Sequence, residues 1–250
     1  DKFVGEDQAL EIWDAQKDEF GRAKSSMTLQ KGRLGIGTTE PEGRLAVADE
    51  PHNLEEFPPR AMTDYKTYFE GHGEFCASAS NESSGNPAWD AFDDKANINT
   101  NYRWRTDDNR YTNNSGSGTP SSPTAAASTY LFTGSEAGDW ISIEFPEKMK
   151  IVYYTITGIH YHTPYEGVIY GYDTVTTTWE RVSSFINPVI HPGDNRPIES
   201  PQFHVDESNT KYYSKYAMIV VKTNGHHAVS MYEWKLFGTR EQGQSVLHDG

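Results

Sequence analysis

The segment from Asp90 to Thr100 concentrates oxygen donors: Asp90, Asp93, Asp94, Asn97, Asn99 and Thr100. A hard cation such as calcium takes several carboxylate, amide and backbone oxygens from a flexible loop, so this composition suits one; the alternative is that these Asp and Asn side chains cap turns. Next to it stand Tyr102, Arg103, Trp104 and Arg105, and further on His160, Tyr161, His162 and Tyr165. These combine aromatic faces with planar polar groups, the pairing a glycan needs for its C–H patch and its hydroxyls. Trp104 reads better as core, and Arg103 and Arg105 read equally as surface charges. His160 and His162 would share a strand face and present two ligands to a transition metal, with no third evident. His226 and His227, beside Asn224 and Gly225, form another polar cluster that also reads as an ordinary turn. Asn81-Glu82-Ser83 and Asn113-Asn114-Ser115 are glycosylation sequons in polar stretches, which makes Asn81 and Asn113 candidate acceptors.

Other chemistry is excluded. Asp93-Asp94 and Glu55-Glu56 are adjacent pairs whose side chains diverge, whereas glycoside hydrolysis needs carboxylates facing across ~5–10 Å. No GxSxG elbow occurs, and a single cysteine, Cys76, leaves neither an internal disulfide nor a CxxC zinc site. Gly35-Ile36-Gly37 lacks the third glycine of a dinucleotide fingerprint, and Pro41 stands where its helix would start. A net charge of −14 repels phosphate backbones, which argues against nucleic acid. The longest apolar run, Ala217 to Val221, is far below the ~20 residues of a membrane-spanning helix. The opening residues lack the zones of a signal peptide, so the expectation is a mature chain or a fragment. The expected class is non-catalytic.

The elements that must position these residues are strands. A chain of 250 residues accommodates one full domain and a smaller element. Hydrophobic residues are only 35%, but aromatics reach 13%, so a core of Tyr, Trp and Phe separates this chain from disordered ones. From Cys76 to Gly238, short apolar runs are punctuated by Gly, Pro, Asn and Ser with no long helical pattern, the signature of an all-β sandwich. In Trp140 to Phe145, alternation sends Ile141, Ile143 and Phe145 to the core and Ser142 and Glu144 to solvent. Tyr216 to Val221 is apolar on both faces and belongs in the middle of a sheet. Residues 113–128 are of low complexity and read as a loop. Ahead of the sandwich, Ala9 to Trp13 reads as a strand followed by a polar turn over Asp14 to Asp18. Met27 to Val47 reads as short strands around Gly32, Gly35 and Gly37. Residues 49–60 are acidic with three prolines and read as a stiff linker.

Several segments, in order, resemble the discoidin-like (F5/8 type C, galactose-binding-like) family. They are Cys76-Ala77-Ser78-Ala79-Ser80; Pro87-Ala88-Trp89-Asp90-Ala91-Phe92-Asp93-Asp94; Thr100 with Trp104; Trp140-Ile141-Ser142-Ile143-Glu144-Phe145-Pro146; and Val229 to Gly238, ending Leu236-Phe237-Gly238. The resemblance implies a jelly-roll sandwich over 63–240, with the last strand pairing beside the first. It also implies calcium as cofactor, held by Asp93, Thr100 and Glu233 together with backbone carbonyls. Two departures stand out: residues 97–103 lengthen the interval before the tryptophan, and Asp94 replaces the usual glycine. Residues 32–47 resemble a G-x-L-G-I-G-T-T-x-P motif of phage tail fibres and of fibre-like structural proteins of large algal viruses. That second resemblance implies a β-structured, homo-oligomerising segment over 1–48, joined by the linker 49–62, with 241–250 as a tail.

Together these imply a multimeric attachment protein on a virion or other extracellular surface that presents a glycan-binding module. Two alternatives stand: a purely structural fibril subunit assembled by N-terminal strand addition, and a carbohydrate-binding accessory module of a larger enzyme. Tyr102, Arg103, Arg105, His160, Tyr161 and His162 are the expected glycan-contacting residues.

Overall fold

In a computed structural model of the chain, residues 10–17, 23–30, 33–36, 45–47, 54–96, 102–112, 124–159, 162–187 and 196–241 are described. The chain divides into two compact units, Asp1–Asn53 and Leu54–Gly250.

The first unit is a four-stranded sheet ordered β1 (Leu10–Lys17), β2 (Ala23–Gln30), β3 (Arg33–Ile36) and β4 (Leu45–Val47). β1 continues through Asp14 to Lys17, where the polar composition suggests a turn. Its pairing with β2 holds that stretch extended, with register shifts after Ile12 and Trp13 absorbing the irregularity. β3 and β4 pair in parallel, Leu34 opposite Leu45 and Ile36 opposite Val47. So short a return is feasible because each strand is only three or four residues long.

The second unit is an all-β sandwich. Its strands are β5 (Glu55–Phe57), β6 (Lys66–Phe69), β7 (Gly73–Ala79), β8 (Trp104–Arg105), β9 (Thr124–Ala125), β10 (Asp139–Gly158), β11 (Pro164–Asp173), β12 (Thr178–Ile186), β13 (Ile198–Glu199), β14 (Phe203–His204), β15 (Tyr213–Thr223) and β16 (Ser230–Arg240). The one described helix is a 3₁₀ turn over Ala88–Phe92. β10 is 20 residues long and belongs to both layers. Its first part, Asp139 to Glu144, lies between β15 and β7. Its second part, Met149 to Gly158, pairs with β16 on one side, and Tyr153 to Gly158 meets β14 and β13 on the other. The register breaks between Glu144 and Met149, around Pro146, which has no N–H to give a ladder. One layer therefore runs β12-β11-β15-β10-β7-β6, and the other is built on β5-β16-β10.

A single aromatic-rich core fills the space between the layers. Ile141, Ile143 and Phe145 face it as the alternation requires, joined by Phe75, Tyr216, Met218 and Val220 from the first layer and Tyr154, Ile156, Trp234 and Leu236 from the second. Phe145 meets Phe57, Phe75 and Tyr216 edge-on with centroids 5.7–6.0 Å apart, the geometry in which ring quadrupoles attract. β15 is apolar on both faces because Ile219 packs with Val168 and Tyr170 into a second cluster on the outer face of the sheet.

Further sequence expectations change in the sandwich. Residues 55–57, assigned to a linker, form β5, and Phe57 is buried against Phe145. The last strand, β16, pairs with β5 and β10, not with β7, whose partners are β6 and β10. Ser142, expected in solvent, is fully buried, because Ser78 lies opposite it and the two hydroxyls bond at 2.8 Å.

Candidate functional site

Two clusters of polar side chains stand out, one beside the 3₁₀ turn and one at the end of the sandwich where β16 begins.

The first lies between the 3₁₀ turn and β16. Pro87 opens the turn, and Ala88, Ala91 and Phe92 bury its apolar side, Phe92 against Trp234 at 5.9 Å. That packing draws Asp90 and Asp93 inward. Asp93 is 1% exposed and Glu233 4% exposed, and the Lys95 backbone N–H donates to both, at 3.1 Å to Asp93 Oδ1 and 2.7 Å to Glu233 Oε1. Asp93 Oδ2 and Asp90 Oδ1 have no hydrogen-bond partner; the Lys95 ammonium stands 3.4 Å from Asp93 Oδ2 as an ion pair. Burial and then the Asp93 charge push the Glu233 carboxyl up to about 8, and the same causes push Asp90 up to about 6. Burial raises Asp93 as well. Converging buried carboxylates with orphaned oxygens are the donor set of a hard cation. Asp93 and Glu233 are thus brought together as the resemblance implies, while Thr100 lies outside the described residues. Among the described residues no three His, Cys, Asp or Glu side chains form a metal cluster. Asp93 and Glu233 would supply two carboxylates to a calcium ion, so the described residues fit calcium in part.

The second cluster gathers three loops. Gly158 ends β10 so close to Thr163 that a Cβ there would sit 2.3 Å from Thr163 Oγ1; glycine is required, and the contact sets His162 at the surface of the core. Asn224 N–H donates to Thr163 O at 3.0 Å, and Gly225, at φ +103°, turns the chain back. Thr223 Oγ1 donates to His226 O at 2.6 Å. The loop 102–111 is then locked on: Thr106 N–H donates to Val229 O and Val229 N–H to Thr106 Oγ1, both at 3.1 Å, and Tyr111 N–H donates to His227 O at 3.0 Å.

The imidazoles crowd together as a result. His162 and His226 have ring centroids 3.4 Å apart, and His226 and His227 3.9 Å. His227 Nε2 lies 3.2 Å from Asp108, which also pairs with Arg105. Arg103 donates to the Tyr232 hydroxyl at 3.3 Å. Burial first, then His226, Arg105, Arg103 and His227, depress His162 to about 2, so its ring is neutral. Several buried atoms here lack a protein partner: Asn224 Oδ1 and Nδ2, His162 Nδ1 and Arg103 Nε. Asn224 is 2% exposed. Fixed donors and acceptors with no protein partner suit a polyhydroxylated ligand.

Of the expected glycan residues, Arg103, Arg105 and His162 come together here. Tyr102 is instead under the Lys95 ammonium, 4.6 Å from its ring centre. His160 and Tyr161 lie outside the described residues. His162 stands beyond the end of β10, and its expected pairing with His160 lies outside the described residues. Trp104 is core, 0% exposed, with Nε1 donating to Asn81 O at 3.0 Å. Asn81 also exchanges bonds with Asp107, donating to Oδ2 at 3.0 Å and accepting from N–H at 2.6 Å; Asn113 is outside the described residues. Asn224, His226 and His227 were visible as a polar run, but nothing local distinguishes it from a turn. Only the fold brings His162 to it.

No protein-family model matches the chain, and no curated protein matches it. Among solved structures it is similar to a family 32 carbohydrate-binding module of Clostridium perfringens in complex with galactose, at 16% identity, over 65% of this chain and 93% of that one, with a TM-score of 0.39. It is also similar to another such module of the same organism in complex with GalNAc-β-1,3-galactose, at 14% identity, over 65% and 94%, with a TM-score of 0.42. A third from that organism, from a family 31 glycoside hydrolase, is 14% identical over 70% and 96%, with a TM-score of 0.45.

Proposed function

We propose that the unit Leu54–Gly250 is a non-catalytic carbohydrate-binding module whose ligand is taken at the loop cluster of Arg103, Arg105, His162 and Asn224. The observation that carries this reading is Asn224, an almost fully buried amide with neither polar atom partnered. Leaving such a group unpaired costs about 1–3 kcal/mol, a cost that vicinal hydroxyls of a sugar would recover. Loops tied by backbone hydrogen bonds flank the amide, and a local shift of them would bring it within reach of a hydroxyl.

Calcium is the proposed cofactor, held by Asp93 and Glu233, with Thr100 and backbone carbonyls completing the shell. It would neutralise the carboxylates and tie the 3₁₀ turn to β16. The N-terminal four-stranded sheet is the proposed self-association element: among the described residues no strand pairs with the outer edge of β1 or β4. Copies joined through it would give weak sugar sites avidity, which suits attachment at an extracellular or virion surface.

A glycan array, probed with the intact chain at pH 7.5 in calcium, tests the reading; galactose, GalNAc-β-1,3-galactose and chitosan oligomers belong on it. Saturable binding that Asn224→Ala abolishes supports it. A blank array overturns it and leaves the purely structural subunit as the better reading.

A further inference from the structure

We propose that glycan capture at the loop cluster is released by acid, with His162 as the group that takes up the proton. The inference deepens the preceding reading, since it concerns the regulation of the same site.

The geometry is that of three crowded imidazoles, tilted 33° and 35° to one another. His162 comes from the β10–β11 connection and His226 and His227 from the β15–β16 connection, and their ring centroids lie 3.4 and 3.9 Å apart. A proton on one imidazole therefore sits a ring's thickness from the next. The groups acting on His162 most strongly are His226 and His227 from the second loop and Arg103 and Arg105 from the 102–111 loop, all of which disfavour a proton there. The carboxylate of the 102–111 loop, Asp108, is already shared by Arg105 and His227. His162 Nδ1 is buried without a partner, so a protonated ring would hold an unpaired N–H and a charge at once. Separation of the loops relieves all of this by returning His162 to water, where imidazole takes a proton near pH 6.5.

The same loops carry Asn224, which is fixed to Thr163 through its backbone N–H. Parting the two loops breaks that bond and disassembles the donor and acceptor set. One proton is bound for each site opened, so the affinity should fall by up to about tenfold for each pH unit below the imidazole range.

The test measures affinity of the intact chain for its strongest hit among galactose, GalNAc-β-1,3-galactose and a chitosan oligomer at pH 7.5, 6.5, 5.5 and 5.0, in calcium. Hydrogen exchange of peptides covering 162–165 and 223–229 is followed at the same pH values, corrected for the intrinsic rate. The expected result is an affinity loss of at least tenfold between pH 6.5 and 5.0, with faster loop exchange. In His162→Gln, binding is weaker at every pH but the pH 6.5 to 5.0 ratio falls close to one. Affinity that holds at pH 5.0, or an unchanged ratio in His162→Gln, overturns the inference while leaving the carbohydrate reading intact. If no sugar binds at pH 7.5 the carbohydrate reading fails, and loop exchange alone decides: unchanged exchange at pH 5.0 overturns the acid-opening of the cluster.

Discussion

Lys95 and Glu233 lie 138 residues apart in sequence, yet the Lys95 backbone N–H donates to Glu233 Oε1 at 2.7 Å and to Asp93 Oδ1 at 3.1 Å. A single amide thus bridges two buried carboxylates from opposite ends of the module.

One amide cannot neutralise two charges, and this sets the first prediction. Calcium should raise the thermal midpoint of the intact chain and EDTA should lower it, by several degrees, since about 1 kcal/mol moves the midpoint by ~2–4 °C at this size. Burial holds the Glu233 carboxyl mostly protonated at pH 7.5 in the absence of metal, and Glu233→Gln keeps the acceptor for the Lys95 N–H, so in EDTA at pH 7.5 it should melt close to the wild type while losing the calcium response. Differential scanning calorimetry reads both. A wild-type midpoint indifferent to calcium would falsify the metal assignment.

Much of the fold was legible in the sequence because strands announce themselves locally. Alternation in Trp140 to Phe145 assigned the faces of Ile141, Ile143 and Phe145, and the doubly apolar Tyr216 to Val221 located a central strand. What failed depended on partners far away. Ser142 looks solvent-facing until Ser78 is placed opposite it. Glu55 to Phe57 looks like linker until β16 is available to pair with it. The site follows the same division: Asp93 and Glu233 were named through the resemblance, and Arg103, Arg105 and His162 from residue type. The cluster with His226 and the buried, unpartnered Asn224 exist only once loops distant in sequence are locked together.

A second prediction separates stability from binding at Asn224. Asn224→Ala removes a buried amide that makes no protein hydrogen bond, so its urea midpoint should match or exceed the wild type, while sugar binding disappears. Loss of both together would mean the amide is structural.

Third, His162 gives the acid limb of stability. Its folded value, about 2, is depressed below the ordinary 6.5, so the unfolded chain binds the proton first. The stabilisation is therefore fully present above pH 6.5 and is lost as pH falls below it. Glu233 and Asp90, whose folded values are raised, gain stability over the same fall in pH, so the prediction is a difference: without sugar, the wild-type denaturation midpoint should drop relative to that of His162→Gln between pH 6.5 and 5.0. Parallel curves for the two proteins would count against a buried neutral imidazole.

Fourth, Trp104 anchors β8 in the core, fully buried and with its indole N–H on Asn81 O. Trp104→Ala should cost about 3–5 kcal/mol. Trp104→Phe keeps most of the packing but strands the Asn81 carbonyl and should cost about 1–3 kcal/mol. Urea titrations with equal m-values would check both. A Trp104→Ala protein of native stability that merely lost sugar binding would move the residue from core to ligand contact.

β16 joins both ends of the module. At Ser230 and Met231 it pairs with Arg105 and Trp104 beside the histidine cluster; at Gly238 it pairs with Glu55, where the chain enters the sandwich. Eight residues of extended strand separate the two places by about 26 Å. The polypeptide comes in, and β16 runs out, at one pole, while the loops with spare donors and acceptors occupy the other. Entry strand and exit strand therefore share one pole of the sandwich, far from the loops proposed to take the sugar.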